Sequence, residues 1–139
     1  MASKRVVITG IGVVSPIGNN ITDFNNSLQN GVNGISEITL FDKESSSIKI
    51  AAEVKNLDFN SFINKKELNK MDRFTQFAVI ASDQAVESSN LKSYKGLNKE
   101  RVGVIIGSGI GGISTLTEQH IRLQKSHKRV SPFFIPSLI

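Results

Sequence analysis

Arg101-Val-Gly-Val-Ile-Ile-Gly-Ser-Gly-Ile-Gly-Gly112 opens on a short β-branched run and closes in a turn made largely of glycine. A brief apolar run bounded by glycines reads as a strand buried on both faces. The period then changes. Ile113, Leu116, His120 and Leu123 recur at helical spacing, so Ile113 to Lys125 reads as a helix. Strand, glycine turn and helix in succession form the unit of an α/β fold. The same grammar appears near the N-terminus. Arg5-Val-Val-Ile-Thr-Gly-Ile11 is a second buried strand, and Gly12 to Asn20 is turn-rich, with Pro16 and Gly18. Ile21, Phe24 and Leu28 then mark a helix that Asn20 or Thr22 caps and Gly31 ends.

Between these two units, Gly31 to Ser47 reads as irregular and Ile48 to Val54 as a short strand. Asn60 to Lys70 reads as a basic helix. Asp72 caps a second one, whose apolar face carries Phe74, Phe77, Ala78, Ala81 and Ala85. Ser88 to Lys99 is a polar loop, and Ser131-Pro132 reads as a helix start with proline at the first helical position. The alternation predicts an α/β protein with a largely parallel sheet.

Composition narrows the function. The 139 residues suit one domain, and 39% hydrophobic with 21% charged residues suits a folded chain rather than a disordered one. No run of about 18 apolar residues exists, and the N-terminus lacks the apolar region of a signal peptide, so no membrane role and a cytoplasmic location are expected. Zero cysteines exclude disulfides, thiolate metal sites and a cysteine nucleophile within this chain. Seventeen Lys and Arg against 12 Asp and Glu give a net charge of +5, which suits an acidic partner. With aromatics at only 6%, base-stacking platforms are scarce, and no nucleic-acid partner is expected. Val130 to Ile139 is apolar and uncharged, which suggests a chain that stops inside a fold.

Gly107 to Gly112 contains G-x-G-x-x-G between a strand and a helix, the setting of a dinucleotide site. The acidic residue expected about 20 positions on is missing, since Gln124 to Arg129 holds no carboxylate. Glycines chosen for chain reversal and close packing are the simpler reading. Ser108 has glycine directly on both sides and so does not form a G-x-S-x-G elbow. His120 and His127 stand seven residues apart, a poor metal pair. Neither a metal nor a cofactor is expected.

Four ordered segments resemble one family, the β-ketoacyl-[acyl-carrier-protein] synthases, and within it the elongating synthase II. They are Arg5 to Gly18, Lys65 to Phe74, Arg101 to Gly112 and Ser131 to Ser137. The resemblance implies the N-terminal part of a layered, thiolase-like α/β fold, so that residues 1–139 form an incomplete synthase domain without the catalytic half. It implies an acyltransferase of fatty-acid elongation that works by decarboxylative Claisen condensation, usually as a homodimer. Its catalytic cysteine, histidines and lysine would lie beyond Ile139, so no catalytic residue is assigned here. The resemblance does place acyl-carrier-protein docking on Lys65, Lys66 and Lys70, with Lys66, Lys70 and Arg73 on one helical face and Arg73 outside the matching positions. It places Ile110 in the wall of the acyl pocket and Phe133 near the dimer interface, at the far end of the partner's pocket. A solvated basic face and plain core packing are the competing readings. Three functional alternatives remain: a non-catalytic chain-length partner of a polyketide synthase, a dinucleotide-binding module using Gly107 to Gly112, and a basic interaction domain with no chemistry.

Overall fold

A computed structural model describes residues 4–126 and 129–139. It divides into two compact units. The first joins the chain up to Leu57 with Ala81–Tyr94, and the second joins Asp58–Ile80 with Lys95–Ile139.

The first unit begins with α1 (Ile21–Gln29), and both ends follow the expected chemistry. Asn20 Oδ1 accepts the Asp23 N–H at 2.9 Å, satisfying one of the free amides of the first turn. At the other end Gly31 adopts φ +63°, a conformation that favours glycine. Its N–H donates to Leu28 O and that of Val32 to Ser27 O, closing a Schellman motif. A hairpin follows, β1 (Ile35–Glu37) antiparallel to β2 (Ile50–Ala52), with Ser36 opposite Ala51. The strand expected at Ile48 to Val54 is present in its centre. Its partner lies in Gly31 to Ser47, a stretch that reads as irregular in the sequence.

The hairpin is fastened by Glu53, whose side chain is buried. Its carboxylate accepts the Thr39 hydroxyl at 2.7 Å and the backbone N–H groups of Thr39 and Leu40 at 3.0 and 3.2 Å. The Thr39 hydroxyl foremost, and then those amides and Lys55, hold this carboxyl below its ordinary value of 4.5 against the opposing effect of burial. A lowered folded value stabilises the fold above the unfolded pKa, and that stability is lost as pH falls through the folded value. The melting temperature of Glu53→Gln should therefore lie below wild type at about pH 7 and converge with it at about pH 3. A constant gap across that range would show that the charge of Glu53 does not stabilise the hairpin.

The helix α3 (Arg73–Ser88) supplies its second half to this unit. Ala81, Ala85 and Ser89 present a stripe of small residues, and residues 10–12 lie against it with no room for a side chain at Gly10 or Gly12. Gln84 ties the following turn, accepting the Val13 N–H at 3.0 Å and donating to Asn19 O at 2.8 Å.

In the second unit the expected helix over Asn60 to Lys70 is broken. A 3₁₀ turn (Phe59–Ser61) precedes the four-residue α2 (Lys65–Leu68). The cause is local: Asn64 Oδ1 accepts the Glu67 N–H at 3.0 Å, so Asn64 begins a helix instead of continuing one. Ile63 and Ile80 are buried, Ile80 completely. Phe59 stacks on Phe77 at 5.9 Å. The helix α4 (Ile113–Ser126) stands where the sequence puts it. The last helix, α5 (Phe134–Leu138), begins two residues later than Pro132 predicts, with Phe133 at its cap position.

The two segments read as buried strands are corrected here. Arg5 to Ile11 and Arg101 to Ile106 carry no ladder, and Val6 and Ile105 are 92% and 100% exposed. Among the described residues the ladder between named strands is the β1–β2 hairpin. A strand of a parallel sheet takes its hydrogen bonds from flanking strands distant in sequence. No such neighbour lies beside either segment among the described residues.

Candidate functional site

Lys65 and Lys66 open α2, and both are exposed. Lys70 is exposed as well, but it lies beyond Asn69, which ends the helix. Lys66, Lys70 and Arg73 therefore do not share one helical face: α2 stops at Leu68 and α3 starts at Arg73. Among the described residues none of the three lysines is paired with a carboxylate. Arg73 differs from them. Its guanidinium lies 5.8 Å and 5.1 Å from the rings of Phe59 and Phe77, a cation–π arrangement inside its own unit.

Lys70 faces a segment that the sequence treated separately. Its ammonium stands 5.6 Å from the Phe133 ring, and its carbonyl accepts the Ser137 hydroxyl at 2.7 Å. Phe133 is 51% exposed, and its N–H donates to Ser131 Oγ at 3.2 Å. A docking candidate and a pocket candidate are thus brought together.

The glycine turn divides into an open half and a packed half. A Cβ on Gly107 or Gly109 would meet nothing within 4 Å. Gly111 has φ +74° and donates to Ser108 Oγ at 3.0 Å. Gly112 is buried and donates to Leu138 O at 2.9 Å, and a Cβ there would sit 2.8 Å from Leu138 Cα. Ile110 is 77% exposed, so core packing within this chain does not explain it.

Gly111 and Gly112 precede α4 and have no side chain to cap its first turn. Asp72 supplies the cap. Its carbonyl accepts the Gln76 N–H at the start of α3, and its buried carboxylate accepts the Thr115 N–H at 2.8 Å. Only the local role of Asp72 is legible in the sequence, since its second partner lies 43 residues away. This carboxylate also bears on the dinucleotide alternative. A pyrophosphate at the N-terminus of α4 would meet a negative charge already seated there.

His120 is exposed on α4, and His127 lies outside the described residues. Among the described residues no group of three His, Cys, Asp or Glu is placed to hold a metal ion, and no helix is long and apolar enough to cross a membrane.

A family model described as the N-terminal domain of β-ketoacyl synthase matches residues 3–139. The chain is 49% identical to 3-oxoacyl-[acyl-carrier-protein] synthase 2 of Staphylococcus aureus (strain COL), over 99% of this chain and 33% of that protein. It therefore spans about a third of the length of the curated relatives it matches. Among solved structures it is similar to the ishigamide ketosynthase/chain length factor, with TM-score 0.80 and 26% identity over 99% of this chain and 34% of the other. A type II polyketide ketosynthase in complex with its acyl-carrier protein superposes with TM-score 0.77 at 22% identity, covering 99% of this chain and 35% of its own. The α/β class expected from the sequence is therefore that of the ketosynthases, although Arg5 to Ile11 and Arg101 to Ile106 carry no ladder here.

Proposed function

The chain belongs to the β-ketoacyl synthase family, and from that premise we propose that it is the carrier-docking, N-terminal third of an elongating 3-oxoacyl-[acyl-carrier-protein] synthase. The observation that carries this reading is identity at nearly half of all positions across almost the whole chain. The full-length enzyme joins an enzyme-bound acyl thioester to malonyl-carrier protein with loss of carbon dioxide. The thioester chemistry calls for a cysteine, whose thiolate is both nucleophile and leaving group, and this chain has none. The contribution of this third is binding. Lys65, Lys66 and Lys70 present unpaired positive charge to an acidic carrier protein, while Ile110 and Phe133 shape the acyl pocket. In this reading the full-length protein works in the cytoplasm as a homodimer and needs no cofactor.

Carrier docking is tested by charge reversal. Lys66→Glu plus Lys70→Glu in the full-length protein should raise KM for acyl-carrier substrates and slow association, because rim charges chiefly steer encounter. The defect should fade with salt, as the screening length falls from about 10 Å at 0.1 M to about 3 Å at 1 M. An unchanged KM at low salt would remove this face as the dock.

A further inference from the structure

Three short segments of the second unit meet in a closed ring of hydrogen bonds. The Asp72 carboxylate accepts from Thr115 N–H at 2.8 Å. Gly112 N–H donates to Leu138 O at 2.9 Å, and the Ser137 hydroxyl donates to Lys70 O at 2.7 Å. Residues 70–72, 112–115 and 137–138 thus each touch the other two. The packing around the ring leaves little slack. Asp72 is only 7% exposed, and Gly112 has no space for a Cβ. The carboxylate also meets the third N–H of a 14-residue helix, where negative charge is favoured.

Each corner of the ring adjoins a residue with a proposed role. Lys70 belongs to the docking lysines, Ile110 lies three residues before α4, and Phe133 stands under the Lys70 ammonium. We propose that Asp72 is a positioning residue that couples carrier docking at Lys70 to the acyl-pocket wall, by fixing the first turn of α4 and with it the glycine turn that bears Ile110. The inference rests on the assignment of the lysines as dock and Ile110 as wall. A carrier that bears on Lys70 loads a backbone bonded on one side to Ser137 and continuing on the other to Asp72. With the cap in place the glycine turn is held while the carrier is bound. Without it the first turn of α4 frays, and the wall no longer sets acyl length sharply.

The test uses the full-length protein, with Asp72→Ala, Asp72→Asn and Ser137→Ala. Asparagine keeps a side-chain oxygen that accepts from Thr115, so it should rescue what alanine loses. Asp72→Ala should change the ratio of kcat/KM between short and long acyl carriers by about tenfold, which corresponds to about 1.4 kcal/mol. Ser137→Ala, which opens the ring at Lys70, should shift the ratio in the same direction by about threefold, and it carries the test should Asp72→Ala fail to fold. Amide exchange reads the coupling without turnover. Added acyl carrier protein should slow exchange over residues 107–116 in wild type and Asp72→Asn, but not in Asp72→Ala or Ser137→Ala. A uniform loss across acyl lengths with a lowered melting temperature would make Asp72 merely structural. Carrier binding without any change at 107–116 in wild type would overturn the coupling while leaving the dock intact. Absence of carrier binding would overturn the docking assignment, and the coupling with it.

Discussion

Gly12→Ala should destabilise the full-length protein by about 3 kcal/mol. The reason is a backbone laid directly on a helix. A Cβ at Gly12 would overlap the Ala81 carbonyl oxygen and sit 2.8 Å and 2.9 Å from the Ala81 carbonyl carbon and the Ala85 nitrogen. All three are main-chain atoms of α3, so no side chain can turn aside to make room. Gly10→Ala should follow closely, because its Cβ would overlap Ala85 O and sit 2.8 Å from the Cβ of Ser89. The small residues of α3 and the glycines opposite them are two halves of one close approach. Gly107→Ala is the control: its added methyl meets nothing within 4 Å, and the change should stay within about 0.5 kcal/mol. The three variants are compared by urea unfolding, with the midpoint read at constant slope. An unchanged midpoint for Gly12→Ala would show that residues 10–12 do not rest on α3.

Ile110→Phe should cut kcat/KM for long acyl chains about tenfold, a loss of about 1.4 kcal/mol, and leave short chains nearly untouched. The exposure of Ile110 sharpens this expectation. At 77% exposed it packs against little in this chain, so a larger ring creates no clash inside the unit that carries it. If the side chain faces the acyl group, added bulk shortens the space available, and the penalty grows with chain length. A series of acyl-carrier substrates alongside a melting curve separates the outcomes. A uniform fall in kcat/KM together with a lower melting temperature would take Ile110 out of the pocket wall.

The helices were legible in the sequence because their bonds and caps are local. Asn20 and Gly31 frame α1, and the periods of α3 and α4 are carried within a few turns. The basic stretch is not one helix because Asn64 and Asn69, which interrupt its charge pattern, bound α2. The runs Val6 to Ile8 and Val104 to Ile106 have the apolar, β-branched composition of a buried strand, yet both are exposed and unpaired among the described residues. Pairing, however, belongs to neighbours, and the relatives are about three times as long as this chain. The basic run around Lys65, Lys66 and Lys70 and the glycine turn are visible as motifs. The junction joining them was not, since Asp72 meets Thr115 and Lys70 meets Ser137 across 43 and 67 residues. Nothing in local spacing encodes contacts of that range.

The measurement that bears most directly on the account is product formation by the full-length protein supplied with acyl-carrier and malonyl-carrier substrates. Mass spectrometry of the carrier should show a 3-oxoacyl group two carbons longer than the primer, with one carbon dioxide released for each product formed. The 139-residue chain alone should give none, since it has no cysteine to hold the acyl thioester. A full-length protein that binds the acyl carrier but yields no 3-oxoacyl product, as a non-catalytic chain-length partner would, contradicts the account.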